Sequence, residues 1–185
     1  MSAPADDHRR VASGFTAVAE RVADWDAPAP VEGWAARDVV DHLVTWFPGF
    51  LAAGGMELGA DDPPADPADR WRAHADAVQV LLDASDADRP FTHPHVGTMP
   101  LEVAVAQFYT ADVFMHTWDL ARASGQDVEL DPDRCAAMLA GMRPIEDLLR
   151  SSGQYGPAVP VPDDAPAQDR LVGFIGRDPG WRPPA

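Results

Sequence analysis

An aspartate and a histidine, Asp112 and His116, stand four residues apart in the most apolar helical stretch of the chain. Residues at i and i+4 lie one above the other on a helix, so the two side chains converge on one point. On a helical wheel drawn from Leu101 they share a face with Leu101, Val105, Phe108, Met115 and Leu120. A carboxylate and an imidazole taken out of water there carry a desolvation cost that a partner must offset. A metal ion is one such partner, and a hydrogen bond between the two side chains is another.

Two ligands are one short of the usual protein set of an open metal centre. His42 is the best third candidate, because it lies at the edge of an earlier helix's apolar stripe, one turn before Trp46. Imidazole nitrogen and carboxylate oxygen suit zinc, nickel, iron or manganese, and such a set leaves a position for water or substrate. Asp119, one turn beyond His116, stands where it can accept from the second imidazole nitrogen; pairing with Arg122 is the alternative. Trp46, His74, His93 and His95 are candidate pocket residues. For His74 the competing role is core packing, and for the two loop histidines it is simple exposure. His8, beside two arginines near the N-terminus, is assigned no role. No Ser-His-Asp or Cys-His nucleophile motif stands out, so no catalytic side chain is assigned and a metal-centred reaction is the economical chemistry.

Five helical patterns must position these residues, separated by Pro, Gly and Asp. They run over about 7–24, 36–51, 67–84, 101–124 and 132–150, with one further short helix near 167–175 in a Pro-rich tail. Pro48 and Gly49 are expected to kink or end the second helix. The acidic loop before the third suits an N-terminal cap, as Asp131-Pro132 does before the fifth. Gly125 suits the left-handed residue that ends the fourth. Between the third and fourth helices, RPFTHPHVGTMP reads as a short extended or hairpin excursion. The expected fold is all-α: a four-helix bundle with an extra short helix and that small excursion. It forms a single domain over 1–185, with the bundle at about 7–150 and the tail at 151–185.

The 185 residues carry a formal charge of −16, and all 14 basic residues are arginine. Such acidity argues against nucleic acid or an anionic membrane as partner, which leaves a small-molecule substrate. Hydrophobic residues make up 46% of the chain, enough for a sizeable core. Cys135 is the only cysteine, which excludes an internal disulfide and favours a buried small hydrophobe. With no apolar leader and no long apolar run, a cytoplasmic location is the expectation. Trp25, Trp34 and Trp181 are read either as interface residues or as tryptophans packed under loops.

Three segments, GWAARDVVDHLV, TADVFMHTWDLARASGQ and GPAVPVPDDAPAQDRLVGFIGRDP, resemble a family of uncharacterised metal-binding proteins in the DinB/YfiT-like superfamily. That family is related to the N-terminal domain of mycothiol-dependent maleylpyruvate isomerase, and the resemblance runs from the first helix to Pro179. It implies a four-helix bundle holding a divalent metal, zinc or nickel, on His42, Asp112 and His116. It also implies a low-molecular-weight thiol such as mycothiol as co-substrate, and dimerisation through bundle faces. The isomerase has a Glu at the position of Asp112, and the tail here is too short to stand for its C-terminal domain. The expected function is a metal-dependent thiol transferase or isomerase acting on a small electrophile. The alternatives are a metal-assisted amide or ester hydrolase, with Asp119 or His74 as base, and a non-catalytic metal-stabilised bundle in stress response or ligand binding.

Overall fold

The computed structural model describes residues 2–59 and 63–184. Its first helix, α1 (Ala3–Ala19), starts and ends earlier than hydrophobic spacing predicts, with the Ser2 hydroxyl accepting from the Ala5 N–H. His8 lies in the core at 1% exposure, where Nδ1 bonds Gln79 Oε1 at 2.9 Å. His8 is therefore a structural residue rather than a bystander.

Helix α2 (Ala36–Ala53) runs through Pro48 without ending there, which leaves a kink as the surviving part of the expectation. Phe47 and Leu51, on either side of the proline, are both fully buried. Packing of two such side chains, at about 1.5–3 kcal/mol each, outweighs the cost of roughly 3 kcal/mol for a proline in the helix interior. Helix α3 (Pro67–Asp83) is capped by Asp66, whose carboxylate accepts from the Asp69 N–H at 3.0 Å. Residues 60–62 of the acidic loop lie outside the described residues.

The excursion is a hairpin: β1 (Pro90–His93) pairs antiparallel with β2 (Gly97–Pro100), Phe91 opposite Met99 and His93 opposite Gly97. Phe91 plugs it into the core. The fourth helical pattern is not one regular helix. It comprises α4 (Leu101–Ala104), a six-residue π-helical turn (Val105–Thr110) and α5 (Ala111–Ala123). A π turn holds more residues than an α turn, so it rotates everything beyond it relative to a regular wheel. Phe108, assigned inward on that wheel, is half-buried, and Tyr109 takes the interior position. Gly125, at φ +67°, ends α5.

The fifth pattern also breaks. Helix α6 (Pro132–Met142), capped by Asp131, gives way at Pro144 to a 3₁₀ turn (Arg143–Ile145) and then α7 (Glu146–Ser151). The tail holds α8 (Ala167–Phe174), which packs on α6. Helix α1 packs on α3 and α5, and α2 packs on the same two, so the core lies among four helical rods. Among the described residues no helix is long and apolar enough to cross a membrane.

Candidate metal centre

Asp112 and His116 project from α5 and His42 from the facing α2. One ligand atom from each lies within 4.8 Å of the others. The Asp112 carboxylate bridges the two rings: Oδ2 is 3.1 Å from His42 Nε2, and Oδ1 is 3.5 Å from His116 Nε2. Trp46, one turn after His42, donates its indole N–H to Asp112 Oδ2 at 2.9 Å. The side chains grade from interior to surface, His116 being 5% exposed, Asp112 20% and His42 32%. The cluster thus opens to solvent on the His42 side.

Behind His116 the arrangement is closed. Asp119 is fully buried, and its Oδ2 accepts from His116 Nδ1 at 2.8 Å. With that nitrogen held by Asp119, Nε2 faces Asp112 and His42, so a metal displacing its proton would meet the lone pair a ligand needs. Asp119 does not pair with Arg122, which binds Asp127 instead. Its cation is Arg177, from the tail, with Nε 3.3 Å from Oδ1 and Nη2 3.1 Å from Oδ2. Sequence reasoning missed Arg177, because nothing local marks a partner 58 residues away.

The electrostatics follow from these contacts. Burial disfavours the Asp112 carboxylate, but the His116 charge and the hydrogen bonds from His42 and Trp46 outweigh it and hold the acid below its ordinary range. Asp119 is held low in the same way, burial being overcome by the His116 bond and the Arg177 charge. Burial also opposes charge on His116, yet the Asp112 charge and the Asp119 hydrogen bond and charge raise its pKa. Tyr155, from the tail, is raised by burial and by the nearby Asp112 charge. Two carboxylates that stay ionised beside imidazoles fit a divalent cation.

Trp34 was missed as a site residue. Its ring stacks on His116 at 5.8 Å and tilts against His42 at 5.2 Å. A turn closed by Trp34 N–H to Val31 C=O, with Gly33 at φ +79°, places it there. That positive φ needs glycine. The one available signal was its place in the GWAARDVVDHLV segment, eight residues before His42. Trp34 and Trp46 wall a cleft of about 510 Å³, with His42, Asp38, Asp41, Thr45 and Gly33 completing its lining.

The other candidates fall elsewhere. His74 is buried against Phe47 and Tyr109 and does not join the triad; burial, then the neighbouring His8, lowers its pKa to about 4. His93 is buried rather than exposed, stacking on Phe50 at 4.5 Å, while His95 is exposed beside it. Neither lines the cleft.

Residues 6–121 match the family described as the mycothiol maleylpyruvate isomerase N-terminal domain. Uncharacterised proteins from two strains of Mycobacterium tuberculosis are each 32% identical over 178 residues, which spans 92% of this chain and 95% of theirs. No solved structure matches the chain.

Proposed function

The chain belongs to the mycothiol maleylpyruvate isomerase N-terminal domain family, and from that premise we propose a divalent-metal-dependent enzyme that joins a low-molecular-weight thiol to a small electrophile, or isomerises one through a thiol adduct. One observation carries this reading: three protein donors converge, and one of them, His42, lines an open, tryptophan-walled cleft. A divalent cation held there supplies Lewis acidity, which lowers the pKa of a thiol or water and yields a nucleophile at neutral pH.

The chain's own side chains do the rest. His42 and His116 offer Nε2, and Asp112 offers a carboxylate steadied by the Trp46 N–H. Asp119, locked by Arg177, fixes the His116 ring and its tautomer. Trp34 and Trp46 offer flat apolar walls that exclude water from one side of a bound molecule. Hydrolysis is less well supported, because neither proposed base reaches the cleft. Asp119 is buried and spent on His116 and Arg177, and His74 sits away from the triad. A closed, purely structural site does not fit three donors with His42 a third exposed.

Elemental mass spectrometry tests the reading on the wild type and on His42→Ala, Asp112→Ala and His116→Ala. Near-stoichiometric zinc or nickel in the wild type and its loss from each variant is the expected result, followed by thiol-dependent consumption of a chloronitrobenzene electrophile. A wild type that takes up neither metal on dialysis overturns it.

A further inference from the structure

The cleft leading to the triad is polarised, and its charges say what class of molecule it admits. Its lining holds two carboxylates, Asp38 and Asp41, and no arginine. Since the chain contains no lysine, any fixed cation for an anionic substrate must be an arginine. Binding a carboxylate or phosphonate calls for a guanidinium with free N–H groups.

The arginines on the surrounding elements are already turned to protein partners and none of them lines the cleft. Arg70 gives Nε to Pro64 C=O at 3.1 Å, Nη2 to Ala65 C=O at 2.9 Å and Nη1 to Asp41. Arg177 gives Nε and Nη2 to Asp119 and Nη1 to Ile175 C=O. Arg37 turns outward to Trp25 C=O and Asp26. Asp41 is neutralised by Arg70, but among the described residues the Asp38 carboxylate meets no cation; its Oδ2 accepts the Ala35 N–H at 2.7 Å. The tryptophans on either side favour a cation or a neutral apolar group over an anion.

We propose that this site selects neutral or cationic thiols and electrophiles and excludes anionic ones, dicarboxylates above all. The inference rests on the triad as a metal centre, and it separates this chain from any reaction on a dicarboxylate substrate.

The test is titration calorimetry of the zinc-loaded protein with three small thiols that differ in charge and chelate zinc weakly: thiocholine, 2-mercaptoethanol and 2-mercaptoethanesulfonate. Affinities are corrected for each thiol's own ionisation. The expected order is thiocholine, then 2-mercaptoethanol, with the sulfonate weaker by about tenfold at low salt, the effect of one poorly screened carboxylate nearby. Asp38→Asn, which keeps the acceptor for Ala35, narrows that gap. A sulfonate that binds as tightly as the neutral thiol, or a gap unmoved by Asp38→Asn, overturns the proposal.

If zinc binds but no thiol does, the thiol reading falls, and the charge preference is then decided by nitroxide probes. A cationic nitroxide should broaden the Trp34 and Trp46 indole proton signals more than an anionic one, and the excess should shrink in Asp38→Asn. Equal broadening overturns the selectivity. A protein that takes up neither zinc nor nickel overturns both.

Discussion

Arg177→Met is the sharpest perturbation of the site, because it removes a charge without removing volume. Asp119 is fully buried and Arg177 is 13% exposed, so their ion pair is shielded from solvent. Methionine fills the apolar path of the arginine stem but leaves the Asp119 carboxylate with only the His116 N–H. Removing one partner of a buried pair costs about 3–5 kcal/mol, because the remaining charge stays desolvated. For a domain of this size that corresponds to a fall in Tm of roughly 6–20 °C. Asp119→Asn in the same chain removes the stranded charge, so the double variant should recover at least about 2 kcal/mol relative to Arg177→Met alone. Urea denaturation of the four members of this cycle, metal-free, provides the readout. Metal titration adds a second, since loosening the His116 support should weaken zinc binding by about 10–100-fold. An Arg177→Met variant within about 0.5 kcal/mol of the wild type, or strictly additive losses in the cycle, would refute the claim that the tail locks Asp119 behind His116.

Three further outcomes follow from other parts of the molecule. His74 is neutral in the fold, its pKa being lowered to about 4 against an unfolded value of 6.5. The folded state therefore binds fewer protons, and stability is full above pH 6.5 and falls by up to about 3 kcal/mol as pH drops toward 4. His74→Leu should flatten that slope in acid denaturation, and an unchanged slope would remove His74 as its source. Gly173→Ala should destabilise by about 1–3 kcal/mol, because a Cβ there would lie 2.8 Å from the Val159 carbonyl oxygen and overlap Val161. Thermal melts matching the wild type would show that the tail yields freely. The Cys135 thiol, fully buried and pushed up to about 11 by burial and the Asp131 charge, should resist Ellman's reagent until the protein unfolds. Prompt labelling of the native protein would contradict that burial.

Local order wrote part of this molecule directly into its residues. The Asp112–His116 spacing states that two donors share one helix face, whatever the rest of the chain does. His42 one turn before Trp46 and Asp119 one turn after His116 are legible for the same reason, since a helical period fixes direction within a few residues. The acidic loop before α3, Asp131 and Gly125 marked helix ends through backbone chemistry that operates across three or four residues.

Only the folded chain decided the remainder, and in each case the deciding contact spans a long stretch of sequence or a competition between energies. Pro48 carries a strong local signal against helix, yet burial of its neighbours prevails. The π turn at Val105–Thr110 shifts the register of α5 and brings Tyr109 rather than Phe108 inward. From outside the site's helices, Arg177 reaches Asp119 through the tail and Trp34 reaches His116 through a glycine turn. Periodicity reports which way a side chain faces along its own helix. It holds no record of what another segment brings to meet it, which is why the triad was readable from the sequence and the lock behind His116 was not.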